Sequence, residues 1–231
     1  MEKHMICRAI VLAAGSGRRM HSDVPKQFLE LNGRPVLSYS LAAFQNHPDI
    51  DEIVLVTSAG YMTFCEEQIV KPFRFDKVKH IVPGGKERTD SVYEGLLAAG
   101  ECDYVLIHDG ARPFLTGEMI DRCIEGAVKH GAAVAAVPSK DTVKLSDENG
   151  FVSETPDRNY VWTIQTPQAF SYPLVLKAHE EMDRQGLLGL TDDASVVERT
   201  TGIKVKLVEG SYRNIKITTQ EDMRIAAALS S

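Results

Sequence analysis

Cysteine is scarce, tryptophan occurs once, and no apolar run is long. The 231-residue chain holds 4 cysteines, Cys7, Cys65, Cys102 and Cys123, with no Cys-x-x-Cys spacing and no histidine ladder beside them. That argues against a zinc framework or a disulfide scaffold, and buried free thiols are expected rather than a disulfide or a metal site. The longest apolar stretches, such as residues 10–14 and 132–137, fall far below the roughly 20 residues that cross a bilayer. No membrane role is expected. Positive charge is not in excess either: 26 Lys and Arg stand against 32 Asp and Glu, a formal net charge of −6. No overall positive field exists to hold nucleic acid. The opening Met1-Glu2-Lys3-His4-Met5 has neither an apolar core nor a small-residue cleavage site, which predicts a cytoplasmic protein. Ser/Gly/Pro-rich linkers and repeats are lacking too, so one domain over residues 1–231 is expected.

What is present is rhythm. Hydrophobic residues make up 43% and charged residues 25%, a balance that supports a packed globular core. Short β-branched runs at residues 9–12, 53–57, 79–82, 104–107 and 132–137 read as strands buried on both faces. Between them, residues 34–45, 62–70, 88–99 and 117–130 carry apolar side chains at three-and-four spacing. Thr116 suits an N-cap there, and Gly131 a C-terminal stop. Alternation of this kind predicts an α/β fold, a mainly parallel sheet flanked by helices. Residues 140–160 break the rhythm: Thr142-Val143-Lys144-Leu145 and Phe151-Val152-Ser153 flank a polar turn at 146–150, which predicts a projecting β-hairpin arm. Beyond it, strands are expected at 161–165, 204–208 and 214–218, and helices at 173–185, 194–199 and 220–229.

Chemistry concentrates after the first strand. Leu12-Ala13-Ala14-Gly15-Ser16-Gly17-Arg18-Arg19-Met20 precedes Pro25-Lys26-Gln27. The loop after the first strand of an open α/β sheet is where phosphates are held, and its glycines permit close backbone approach. A dinucleotide fingerprint would need glycine where Met20 stands, and a P-loop would need Ser or Thr where Gln27 stands, so neither applies. The loop reads as a triphosphate cradle or as a solvated basic turn. The fourth strand ends in His108-Asp109-Gly110-Ala111-Arg112-Pro113, which places an acid at the ligand-binding edge of the sheet. Asp109 there is a candidate Mg²⁺ ligand or a turn-forming Asp. Arg112 can pair with a phosphate or with Asp109, and His108 reads as a packed, hydrogen-bonded histidine. Gly84-Gly85 ahead of Arg88-Thr89-Asp90-Ser91 offers bare backbone to a flat base and a hydroxyl to its polar edge, or makes a plain loop and cap.

Nine segments in order now carry a resemblance: residues 12–20, 25–27, Pro83-Gly84-Gly85-Lys86-Glu87-Arg88 with Asp90-Ser91-Val92, residues 108–113, Asp141-Thr142-Val143-Lys144, Asp157-Arg158, Thr166-Pro167-Gln168-Ala169-Phe170, Thr191-Asp192-Asp193-Ala194-Ser195 and Asn214-Ile215-Lys216-Ile217-Thr218. From residue 8 to about 222 the chain resembles the 2-C-methyl-D-erythritol 4-phosphate cytidylyltransferases of non-mevalonate isoprenoid synthesis. The resemblance implies a Rossmann-like nucleotidyltransferase fold, CTP and methylerythritol phosphate as substrates, Mg²⁺, and a homodimer. It implies that Arg19 and Lys26 stabilise phosphate charge, that Asp109 holds the metal, and that Arg158 and Lys216 position the attacking phosphate with Thr142 and Arg112. Ala13, Ala14, Gly15, Gly17, Gly84, Gly85 and Ser91 would form the cytidine pocket, with Thr166 on the substrate side. Thr142 and Arg158, at the ends of the arm, would reach the acceptor bound by the other subunit. The chain departs from some members at Arg213, where an acidic residue can stand, and at Gln220, often proline. Competing readings are a ribitol 5-phosphate cytidylyltransferase and a silent nucleotide-binding regulator.

Overall fold

A computed structural model describes residues 4–15 and 24–230. Strand β1 (Cys7–Ala13) leads to a 3-10 turn (Lys26–Phe28), a ribbon of β2 (Glu30–Leu31) and β3 (Arg34–Pro35), and helix α1 (Val36–Gln45). Then come β4 (Glu52–Thr57), the single turn α2 (Met62–Cys65), β5 (Val78–Pro83), α3 (Arg88–Ala99), β6 (Tyr104–Asp109), α4 (Gly117–His130) and β7 (Ala132–Pro138). The later part contributes β8 (Leu145–Ser146), β9 (Val152–Glu154), β10 (Trp162–Ser171), α5 (Tyr172–Gln185), α6 (Asp193–Thr201), β11 (Lys206–Glu209) and α7 (Gln220–Leu229).

Seven of these strands form one sheet in the order β11-β7-β10-β6-β1-β4-β5. Strand β1 pairs in parallel with β4 and β6, β4 with β5, and β7 with β11, while β10 runs antiparallel to both neighbours. The chain steps outward from β1 through β4 to β5, then crosses back to β6 on the other side of β1. That reversal opens a crevice at the carboxyl ends of β1 and β6.

Alternation along the strands sends side chains to opposite faces. Ala9, Val11, Ile53, Leu55 and Leu106 pack with Leu37, Leu41 and Phe44 of α1 and Met119, Ile120 and Cys123 of α4. Ile10, Val54, Val56, Val105 and Ile107 pack on the other face with Val92 and Leu96 of α3, Val175 of α5 and Val196 of α6. Both faces of the central strands are covered, so these read as unbroken apolar runs; β5, at the sheet edge, is not buried on both faces as expected, and its Lys79 and His80 are exposed. Helix α4 stops at Gly131, whose φ of 81° favours glycine. Thr116 occupies its N-cap position without a side-chain cap bond.

Several expectations are corrected. Pro35 pairs in the small ribbon and α1 begins one residue later, not at Arg34. The helix expected over 62–70 is one α turn followed by a π turn (Glu66–Val70), in which Lys71 N–H reaches the Glu66 carbonyl at 3.0 Å. The strand expected at 161–165 continues to Ser171, because a register shift between Ile164 and Gln168 absorbs Pro167, which has no N–H to give the ladder. Residues 214–218 pair with no strand; the alternating Ile215 and Ile217 reflect burial instead, Ile217 packing with Leu31, Val36 and Ala226.

The arm is short: Leu145 pairs with Glu154 and Ser146 with Val152, so Thr142 lies ahead of its ladder. Phe151 and Val152 are 71% and 61% exposed, which leaves the tip without a packed face. The four thiols are free, and burial pushes Cys65 up to about 11 and Cys7 up to about 12. Among the described residues no helix is long and apolar enough to cross a membrane.

Candidate functional site

The crevice begins with held backbone. Gln27, buried, donates through Nε2 to the carbonyls of Ala13 at 2.6 Å and Gly15 at 3.2 Å, and Ser58 Oγ donates to Ala14 O at 3.2 Å. Gln27 thus shapes the exit of β1, a role the sequence reading missed because an isolated Gln looks like any polar loop residue. Gly84 is needed for close approach: a Cβ there would sit 2.6 Å from Ala14 Cβ and 2.7 Å from Ser91 Oγ. Glu87 and Asp90 form a capping box at the start of α3. Ser91 Oγ donates to Glu87 O at 3.1 Å, so its hydroxyl proton is already committed within the helix. These pieces wall a cavity of about 440 Å³ lined by Ala13, Ala14, Gly15, Lys26, Gly85, Arg88, Ser91, Asp109 and Lys216.

A second cavity of about 290 Å³ adjoins it, lined by Arg112, Thr166, Thr191 and Asp192 together with Arg88, Asp109 and Lys216. The last three line both. Asp109 Oδ2 lies 2.7 Å from Lys216 Nζ and 3.9 Å from Arg112 Nε, and its Oδ1 lies 3.5 Å from Arg88 Nε. Burial alone would raise the Asp109 pKa, but Arg88, Lys216 and Arg112 outweigh it and hold the carboxyl well below the usual range. Asp109 is therefore ionised and surrounded by cations, an arrangement suited to a polyanion. His108 lies behind it. Thr166 Oγ1 accepts from Asp109 N–H at 3.0 Å and meets His108 Nδ1 at 3.0 Å, while His108 Nε2 faces Arg112 O at 3.3 Å. Burial lowers the His108 pKa to about 4, so the ring is neutral, with Thr166 donating to it. His108 is the packed histidine expected.

Lys216 reaches Asp109 because its segment is pinned from both sides. Buried Asn214 donates through Nδ2 to Thr166 O at 2.9 Å, Arg112 Nη1 donates to Asn214 O at 2.7 Å, and Ile217 N–H donates to Ala111 O at 2.9 Å. Arg112 therefore serves the Asp109 cluster and the Lys216 segment at once.

This sheet, with a glycine-walled cavity and a cation-ringed aspartate at its switch point, has close relatives. Residues 7–230 match the family described as IspD, 2-C-methyl-D-erythritol 4-phosphate cytidylyltransferase. The chain belongs to that family. It is 50% identical over 219 residues to the 2-C-methyl-D-erythritol 4-phosphate cytidylyltransferase of Lachnospira eligens, covering 94% of this chain and 96% of that one. The crystal structure of 4-diphosphocytidyl-2C-methyl-D-erythritol synthase from Anaerococcus prevotii superposes with a TM-score of 0.84 at 38% identity, covering 98% and 96% of the two chains. That of the cytidylyltransferase from Thermus thermophilus does so with a TM-score of 0.77 at 32% identity, covering 96% and 97%.

Other residues expected from the cytidylyltransferase resemblance are distributed unevenly. Gly17, Arg18 and Arg19 lie outside the described residues. Thr142 and Arg158 line neither cavity; both are exposed on the arm, where Arg158 Nη1 lies 3.5 Å from Lys140 O. Arg213, in place of an acid, donates to Leu229 O at 2.5 Å and ties down the C-terminal helix. Asp109 is the one carboxylate lining both cavities among the described residues. One carboxylate plus substrate phosphates is a usual donor set for Mg²⁺, so the residues present fit that ion.

Proposed function

We infer that the protein transfers the cytidylyl group of CTP to 2-C-methyl-D-erythritol 4-phosphate, giving 4-diphosphocytidyl-2-C-methyl-D-erythritol and pyrophosphate in isoprenoid precursor synthesis. The observation that carries the site assignment is the pair of adjoining cavities sharing Arg88, Asp109 and Lys216. A nucleotide in the larger one presents its α-phosphorus to the smaller one. There the 4-phosphate oxygen of the acceptor attacks, a P–O bond forms, and the bond to the β-phosphate breaks with its electron pair leaving on pyrophosphate. The attacking phosphate is already ionised, so no general base is required, and catalysis rests on positioning and charge neutralisation.

Lys26 lines the larger cavity and takes the triphosphate charge, a role the resemblance also gives Arg19, and Lys216 and Arg112 orient the acceptor phosphate. Ala13, Ala14, Gly15, Gly84, Gly85 and Ser91 shape the cytidine pocket. Asp109 would hold Mg²⁺, which when bound neutralises phosphate charge. Asp109→Asn keeps the shape but weakens the ligand for a hard cation; its Mg²⁺ requirement is expected to rise steeply, and an unchanged Mg²⁺ titration would make Asp109 purely structural.

The whole chain acts as one domain, with residues 140–160 as a dimerisation arm. Leu145, Phe151, Val152 and Tyr160 are exposed there, and a lone hairpin is marginal in water without a surface to pack on. A two-fold partner supplies that surface and brings its own Thr142 and Arg158 to this chain's acceptor cavity. Pyrophosphate release measured with CTP and either methylerythritol phosphate or ribitol 5-phosphate tests the reading. Release with the first alone is expected; preference for ribitol phosphate, or silence with both, overturns it.

A further inference from the structure

The cluster shared by the two cavities has a buried extension. Arg88 bridges two carboxylates: its Nε faces Asp109 Oδ1 at 3.5 Å, and its Nη2 donates to Asp193 Oδ2 at 2.8 Å. Asp193 is wholly buried and lines neither cavity, so it makes no contact with substrate there. It is nonetheless elaborately placed. The backbone N–H groups of Asp193 and Ala194 donate to Gln168 Oε1 at 3.1 and 3.0 Å, and Gln168 Nε2 donates to Asp192 Oδ2 at 2.9 Å. Buried His179 presents Nε2 3.4 Å from Asp193 Oδ1, and neither atom has another hydrogen-bond partner. Burial opposes the Asp193 charge, but Arg88 and His179 together outweigh it and hold the carboxyl below its ordinary range, so the pair is ionic.

A buried ion pair is weak as a stabilising device, since apolar residues of similar volume do as well or better. Its place here points to a different use. Asp109 faces the phosphates and, on the reading above, the metal, so its hold on Arg88 is shared with ligands during turnover. Asp193 is out of their reach. We propose that Asp193, backed by Gln168 and His179, is a positioning residue that keeps Arg88 at the junction of the two cavities while Asp109 engages the phosphates. The proposal rests on the cytidylyl-transfer reading.

A mutant cycle tests it. In folded protein, Asp193→Asn is expected to lower kcat/KM about 10- to 100-fold, the usual consequence of misplacing a group in the site. In an Arg88→Met background the same substitution should cost less than about twofold, because its only route to the reaction is gone. Wild-type kcat/KM in folded Asp193→Asn, or an undiminished loss without Arg88, overturns the proposal. Should Asp193→Asn fail to fold, His179→Leu and His179→Gln decide: loss in the first with rescue in the second supports it, and wild-type values in both overturn it. Absence of pyrophosphate release by the unaltered protein would instead strike the functional reading, so the two failures are separable.

Discussion

His108 stays uncharged at neutral pH because burial removes it from water faster than neighbouring Asp109 can compensate. Its folded pKa of about 4 lies below the ordinary 6.5. The unfolded chain therefore binds a proton that the native protein refuses between those values. Stability from this group is complete above pH 6.5 and is lost as pH falls towards 4; at about 1.4 kcal/mol per unit, the gap is worth roughly 3 kcal/mol. Urea midpoints are expected to fall over that window in the wild type and to flatten in His108→Gln, which preserves donor and acceptor but does not titrate. Equal slopes in both would place the titration elsewhere. Lys216 carries a different expectation. Loss of one charge-stabilising group typically costs about 10² to 10³ in rate, so Lys216→Ala should be folded and severely slowed. Near-normal kcat would remove Lys216 from the acceptor site.

At the level of elements, the packing of α3 on the end of β1 is set by Gly84. Gly84→Ala drives a methyl into Ala14 Cβ, which cannot give without moving its backbone, and against Ser91 Oγ, which can turn away only by giving up its bond to Glu87 O. Overpacking of this kind costs about 1–3 kcal/mol, and the displaced surface walls the larger cavity; with CTP bound there as proposed, its KM is expected to rise about tenfold. Gly95→Ala is the comparison. Its methyl would meet Ile10 Cγ2 at 2.6 Å on the core side of the same helix, so stability should fall with KM unchanged. Matching KM values in the two variants would sink the claim that Gly84 shapes the pocket.

Across the whole molecule, the residues assigned to the proposed site are divided. Lys26, Asp109 and Lys216 line one chain's cavities, while Arg158 stands exposed on the arm outside them. If the arm completes a partner's site, Lys26→Ala and Arg158→Ala chains mixed under subunit exchange regenerate one intact site per heterodimer. Random exchange makes about half the dimers mixed, so roughly a quarter of wild-type activity should return from two nearly inactive parents. Confirmed exchange without recovery would confine Arg158 to its own chain.

The local features of this protein are legible in its sequence: buried central strands from β-branched runs, α4 from its apolar spacing and Gly131, and an acid, Asp109, at the end of β6 beside the crevice. Those signals survive because burial and backbone conformation act over a few residues. The reversed strand β10, the unpaired path of residues 214–218, Gln27 under Ala13 and the Asp193–Arg88 bridge were not legible. Each depends on which distant segments the sheet order makes neighbours. Lys216 meets Asp109 only because β6 crosses back beside β1 and Asn214 docks on the bulge of β10. Periodicity records that a residue is buried; the partner it is buried against is decided by tertiary packing.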